Sequence, residues 1–223
     1  QGALYRNGPA KFRRPGGSAT HWFDGDGMMR AFRIQDGQAT LEARFADTPK
    51  RRTETELDAV VTPGFGTKGD GRARIGSNDD ANAANTAVMV AGDQVWALWE
   101  AGSPLAMSAS DLSTKRFVTL RDDLKGMPFQ AHPRYDPDGT IWNIGLNGGQ
   151  AIVWRLNAEA EKAQTGLGEN RHPDVECGVD DQDRRHVGQD VPGDDPAFIG
   201  SGPTVGDATT PGAARLAALF GET

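Results

Sequence analysis

Hydrophobic and polar residues alternate with a period of two along much of the first part of the chain, and two-residue turn signals separate the runs. Phe32-Arg-Ile-Gln, Asp36-Gly37 and Gln38-Ala-Thr-Leu-Glu-Ala-Arg-Phe45 read as one hairpin. Thr86-Ala-Val-Met-Val-Ala, Gly92-Asp93 and Gln94-Val-Trp-Ala-Leu-Trp99 read as a second. Further on, Pro137-Asp-Gly139 turns into Thr140-Ile-Trp-Asn-Ile, and Gly148-Gly149 leads into Gln150-Ala-Ile-Val-Trp-Arg-Leu156. Alternation of this kind puts successive side chains on opposite faces of a strand. Asp-Gly and Gly-Asp suit the tight turns whose twist matches that of the strands. Hairpins recurring roughly every 45 to 55 residues predict propeller blades, since a four-stranded blade uses about that length. A β-sandwich shares the short strands and frequent turns. The alternation alone leaves both architectures open.

Composition narrows the class. The 223 residues include 29 Gly and 13 Pro, which favours a turn-rich, all-β protein over a helical one. A hydrophobic fraction of 37% is low for a packed globular chain. A net charge of −7 argues against nucleic acid as a partner. The single cysteine, Cys177, excludes an internal disulfide framework and fits a reducing, cytoplasmic setting or a disulfide-free exported protein. No apolar run approaches the roughly 20 residues of a membrane-spanning helix. The chain opens at Gln1 without a methionine, so its N-terminus is expected to have been processed or lost.

The chain changes character near residue 158. Residues 1–158 hold 19 Lys/Arg and 18 Asp/Glu, whereas residues 159–223 hold 5 and 13. All the tryptophans and tyrosines precede the break. The segment 159–223 reads as an irregular acidic tail that buries too little apolar surface to offset the entropy of ordering it. Ala213-Ala-Arg-Leu-Ala-Ala-Leu-Phe220 is its one short helical pattern. A reading-frame change in the source sequence is expected to explain the break, with truncation or a lineage-specific insertion as alternatives.

Several residues invite a chemical reading. Glu100 follows the apolar run Val95-Trp-Ala-Leu-Trp99, where a carboxylate either reaches solvent or needs a hydrogen-bond partner. His132 lies in Ala-His-Pro-Arg, and Pro133 restricts it to extended backbone. Alone, such a histidine is more often structural than metal-binding. Asp24-Gly-Asp-Gly27 reads as a tight turn. It lacks the spacing of a calcium loop. His172-Pro-Asp-Val-Glu-Cys177 has metal-ligand residue types without a second cluster and reads as loop. Asn82 and Asn85 are expected to serve the fold.

The ordered set of motifs is more specific than any one of them. Leu4-Tyr-Arg-Asn-Gly-Pro-Ala10, His21-Trp-Phe-Asp-Gly-Asp-Gly-Met28, Asn82-Ala-Ala-Asn-Thr86 through Leu98-Trp-Glu-Ala-Gly102, and Phe129-Gln-Ala-His-Pro-Arg134 through Trp142-Asn-Ile-Gly145 together resemble the carotenoid cleavage oxygenases. That family consists of non-haem iron(II) enzymes built on a seven-bladed β-propeller. The likeness covers residues 2–156 and implies about the first two to three blades, with residues 1–158 as a partial propeller.

By resemblance, His132 is one of four histidine ligands to Fe(2+). Glu100 accepts a hydrogen bond from a ligand histidine and orients it. Thr86 lies near the metal's vacant side, and Trp99 lies beside the substrate passage. His21 belongs to the scaffold. His186 falls near the second ligand's place, but Arg184-Arg-His-Val-Gly does not match that ligand's motif. The implied reaction cleaves a carbon–carbon double bond of a carotenoid, an apocarotenoid or a stilbene with O2. An apolar polyene substrate also implies peripheral membrane contact.

With three ligands missing by motif, the chain as written is expected to be an incomplete, inactive fragment with exposed strand edges and poor solubility. A non-catalytic propeller fragment or binding module is the alternative, and an unrelated extracellular β-protein a third.

Overall fold

The computed structural model describes residues 1–147, 150–157, 160 and 163–167. In chain order the elements are β1 (Gly2–Lys11), β2 (Arg13–Arg14), β3 (Gly17–Ser18), β4 (Asp26–Gln35), β5 (Gln38–Phe45), α1 (Pro49–Glu56), β6 (Ala87–Ala91) and β7 (Gln94–Leu98). They continue as β8 (Leu105–Ser108), β9 (Thr114–Phe117), β10 (Arg134–Tyr135), β11 (Ile141–Asn147), β12 (Gln150–Leu156) and β13 (Ala163–Leu167). Among the described residues the regular elements are therefore mostly strands, as the alternation predicts.

Two antiparallel meanders, β6-β7-β8-β9 and β10-β11-β12-β13, have the four-stranded form of a propeller blade. A three-stranded sheet, β1-β4-β5, precedes them, and β2-β3 form a short ribbon. The two predicted hairpins close as expected, with Gln35 opposite Gln38 and Ala91 opposite Gln94. Asp36 and Gly37 both take positive φ, 52° and 74°, as a type I′ turn requires.

The middle sheet is covered on both faces. Val95 and Ala97 of β7 pack with Met29 and Ala31 of β4, Leu105 and Met107 of β8, and Leu112. Trp96 and Leu98, between them in sequence, pack with Phe129, Ile141, Ile152 and Trp154. Burial on both sides explains why β7 reads as a continuous apolar run. Each large side chain removed from water here contributes about 1.5–3 kcal/mol. The outer faces are open. Leu4, Ile34 and Leu41 on the first sheet and Ile144 and Leu146 on β11 are exposed by about half their surface.

Some features depart from the sequence pattern. Residues 2–11 form a strand of ten residues and not just a signature. Strand β13 pairs with β12 from Ile152–Leu167 to Leu156–Ala163, so sheet pairing runs past residue 158. Asp24-Gly-Asp-Gly27 is not a positive-φ turn: Gly25 has φ −67° and ψ 147°, and Asp26 begins β4. Cys177, His172, His186 and the helical pattern at 213–220 lie outside the described residues.

Arg14, Asp26, Lys50 and Glu54 form a buried quartet of charges. Arg14 contacts both carboxylates, and Lys50 Nζ lies 3.0 Å from Asp26 and 2.9 Å from Glu54. The second Glu54 oxygen accepts the Thr62 N–H at 3.1 Å. The quartet ties β2 and α1 to the start of β4.

Candidate functional site

The β6–β7 hairpin is open at the end opposite its Gly92-Asp93 turn, and the site lies at that open end. Thr86 directly precedes β6, and Trp99 and Glu100 directly follow β7. The Thr86 N–H donates to the Leu98 carbonyl at 3.0 Å, which extends the hairpin pairing to the site. Asn82 and Asn85 hold the approach to Thr86. Asn82 Nδ2 donates to the Ser103 carbonyl at 3.0 Å, and its oxygen accepts the Ala84 N–H at 2.9 Å. Asn85 Nδ2 donates to the carbonyls of Phe23 and Gly25 at 2.6 and 2.7 Å. Both are buried, which satisfies amides that would otherwise be costly inside the protein.

His132 arrives from the next sheet. The Phe129 N–H donates to the Gly102 carbonyl at 3.0 Å, joining the segment after Glu100 to the segment before His132. The Phe129 ring is fully buried between Trp96 and Trp154, with centroid distances of 6.4 and 6.3 Å. Gln130 then takes a left-handed backbone with φ 65°. That turn lets Phe129 point into the core while His132, three residues on, stands in solvent. Backbone strain of this kind costs about 1–3 kcal/mol and persists only where the surroundings impose it.

Gly145 permits this approach. A Cβ there would lie 1.9 Å from the Pro128 carbonyl oxygen, which is backbone and cannot swing aside. Gly145→Ala is expected to destabilise the fold by about 1–3 kcal/mol. It should also shift residues 128–132, which would be read as a lower urea midpoint together with altered chemical shifts at His132.

The geometry brings Glu100 and His132 together across 32 positions. His132 Nε2 lies 2.6 Å from Glu100 Oε1, and the side chains are 67% and 45% exposed. The contact engages Nε2 of the imidazole and not Nδ1. Thr86, Trp99 and Glu100 border a cavity of about 280 Å³ whose walls are almost wholly apolar. Phe23, Phe65, Ala81, Ala83, Gln130 and Leu146 complete most of its lining. An apolar ligand suits such a space, and Glu100, paired with His132, stands on its border.

His21 stands apart from that pair. Its Nδ1 accepts the Phe23 N–H at 3.1 Å, and its ring packs on Phe65 at 4.7 Å, a scaffold position. Phe23 and Phe65 had no chemical signal in the sequence. Phe65 is an isolated aromatic in the glycine-rich run Pro63-Gly-Phe-Gly-Thr67. The nearest hint was that run itself, since conformational punctuation often marks a shaped loop. Among the described residues no group of three or more His, Cys, Asp or Glu side chains could hold a metal ion.

Comparisons with known proteins identify the family. A family model described as Retinal pigment epithelial membrane protein matches residues 1–192. The chain is 36% identical over 170 residues to apocarotenoid-15,15′-oxygenase of Synechocystis sp., covering 74% of this chain and 34% of that protein. It is 32% identical over 136 residues to resveratrol cleavage oxygenase 1 of Aspergillus fumigatus, covering 61% and 27%. Rat β,β-carotene 15,15′-dioxygenase is 24% identical over 197 residues, with 80% and 35% covered.

Among solved structures, cobalt-substituted Synechocystis ACO superposes with a TM-score of 0.65 at 29% identity, over 76% of this chain and 39% of that one. A mutant of Synechocystis apocarotenoid oxygenase gives 0.62 at 28%, over 75% and 39%. The chain thus spans between about a quarter and a third of the length of these curated relatives, and its sheets are part of a β-propeller.

Proposed function

The chain belongs to the Retinal pigment epithelial membrane protein family, the carotenoid oxygenases, and from that membership we propose that it is part of a non-haem iron(II) oxygenase. The enzyme would cleave a carbon–carbon double bond of a carotenoid or apocarotenoid with O2. The observation that carries the reading is the Glu100–His132 pair, 2.6 Å apart, at the edge of an apolar cavity bordered by Thr86 and Trp99.

The described residues do not complete an iron site, because they contribute one imidazole and one carboxylate. His132 would be one of the ligands, with further histidines supplied from elsewhere in the complete protein. Glu100 would hold a ligand histidine in one tautomer and one orientation. Iron, when bound, would supply the oxygen chemistry. The protein's own part is to position one double bond of a flat polyene, and the apolar walls, Trp99 and Thr86 included, serve that end. Exposed Trp22, Phe23 and Phe65 by the cavity support peripheral contact with a membrane that holds such a substrate. No helix among the described residues is long and apolar enough to cross a membrane. A stilbene is the alternative substrate, as in the relative named for resveratrol cleavage.

The incomplete donor set favours a second reading for these residues taken alone, a non-catalytic module that binds an apolar ligand. Cleavage of an apocarotenal under air by ferrous-loaded protein of the relatives' full length decides between the two, with the 223-residue chain as comparison. The full-length protein should form aldehyde products, lose them with His132→Ala, and form them about 10- to 100-fold less well with Glu100→Ala. The shorter chain should form none. Undiminished cleavage by the His132→Ala protein would overturn the assignment.

A further inference from the structure

The polar side chains that border the cavity are nearly all engaged inside the protein. Asp24 accepts the N–H groups of Phe65, Gly66 and Thr67 at 2.6, 2.9 and 2.8 Å, and the Thr67 hydroxyl at 2.7 Å. Lys50 donates to Asp26 and Glu54 at 3.0 and 2.9 Å. The Thr86 hydroxyl donates to Asn85 Oδ1 at 3.2 Å. Glu100 is engaged by His132. Gln130 differs from all of these. It borders the same cavity, and its carboxamide has no hydrogen-bond partner among the described residues. Trp99 likewise keeps its indole N–H, but that group is a donor only.

An unpaired carboxamide among apolar walls discriminates between ligands. Gln130 is half-buried, so solvent reaches it while the cavity is open. A ligand that fills the space removes that solvent, and a hydrocarbon offers nothing in exchange. Leaving a desolvated donor unpaired costs more than one hydrogen bond contributes. A carbonyl oxygen accepts the N–H and avoids the penalty. Sites with such a donor reject the analogue lacking the polar atom more strongly than an apolar pocket rejects the loss of a methylene.

The backbone supplies a second observation. Gln130 has φ 65°, and its carbonyl accepts from Nδ2 of the buried Asn143 at 3.4 Å. Glycine or asparagine meets a left-handed turn at lower cost than glutamine does. Glutamine here retains strain that glycine would relieve, as at a position kept for its side chain. The residue also lies two positions before His132, on the segment that carries the imidazole to the site.

We propose that Gln130 is a specificity-determining residue whose carboxamide donates an N–H to the carbonyl oxygen of an aldehyde-ended polyene, so that the cavity prefers such ligands to hydrocarbon polyenes. The proposal rests on the reading of the cavity as the polyene site. It requires no bond-making step and no metal.

The test uses the 223-residue chain and two probes, a polyene aldehyde and a hydrocarbon of equal conjugated length, with binding followed by quenching of tryptophan fluorescence. Gln130→Leu removes the amide at nearly constant volume and keeps the backbone strain. It is expected to weaken the aldehyde roughly 5-fold, about the net contribution of one hydrogen bond, and to tighten the hydrocarbon. The infrared carbonyl band of the bound aldehyde should lie lower with the wild-type chain than with Gln130→Leu. Gln130→Gly removes amide and strain together. It should lose the preference in the same way while raising the urea midpoint, and it decides the matter if Gln130→Leu fails to fold.

An equal change for both probes, or an unshifted carbonyl band, would overturn the proposal. So would a preference kept in Gln130→Leu and lost in Gln130→Gly, since the backbone and not the amide would then set it. A wild-type chain that binds neither probe removes the polyene reading of the cavity and this proposal with it. Binding of both probes with a preference that neither variant moves overturns the role of Gln130 alone and passes the donor to Trp99.

Discussion

Lys50→Met is expected to cost about 3–5 kcal/mol of folding stability, the usual result of removing one partner from a buried charge pair. The four side chains of the quartet are each only 2–4% exposed, and they balance two positive against two negative charges. Without Lys50, Asp26 and Glu54 share Arg14 alone and lose contacts at 3.0 and 2.9 Å. Urea unfolding followed by tryptophan fluorescence checks this, with the midpoint lowered and the slope unchanged. The loss should hardly vary with salt, because buried pairs are weakly screened. Adding Glu54→Met should recover part of it by leaving the Arg14–Asp26 pair balanced. A loss below about 1 kcal/mol would place the quartet with ordinary surface ion pairs.

Phe129→Ala is expected to cost a similar amount, about 3–5 kcal/mol, since a fully buried aromatic leaves a cavity its neighbours only partly fill. The effect should reach the site as well. Phe129 sits between Trp96 and Trp154 and anchors, by its N–H, to Gly102, two residues past Glu100. Gln130 holds its left-handed backbone only because Phe129 is fixed on one side and Ala131 is buried on the other. Without the ring, the Glu100–His132 contact should loosen, and the His132 ring resonances should move toward those of a free imidazole. A stability loss with unshifted His132 resonances would show that the hydrogen bond to Gly102 suffices to place the histidine.

The legible parts of the fold are those with local causes. The hairpins at Asp36-Gly37 and Gly92-Asp93 carry their turn chemistry in two residues and their register in the flanking alternation. Glu100 and His132 are singled out by the ordered set of motifs that resembles the carotenoid cleavage oxygenases, since neither is distinctive by its own neighbours. Helix α1 gave no such signal, because Pro49-Lys-Arg-Arg-Thr-Glu-Thr-Glu56 has no apolar stripe. It forms because the Thr48 side chain accepts the Arg51 N–H at 3.1 Å, Pro49 suits the first turn, and the buried face is charged Lys50 and Glu54. Strand β9 is short and exposed at the sheet edge, and β13 contains Gly166 and lacks clear alternation. Both exist because a neighbouring strand offers unpaired backbone groups. The Asp24–Phe65 contact spans 41 residues, and nothing near either residue announces the other.

Strand β7 gives its two packing interfaces separate genetic addresses. Positions 95 and 97 answer to β4 and β8, whereas positions 96 and 98 answer to Phe129 and Trp154. A substitution on this strand is therefore compensated at one boundary or the other according to whether its number is odd or even. Along these four consecutive residues, contacts with the preceding sheet interleave with contacts with the following one. A single-residue insertion would exchange the two sets of partners at once, so length in this strand is under tighter constraint than identity at any one position.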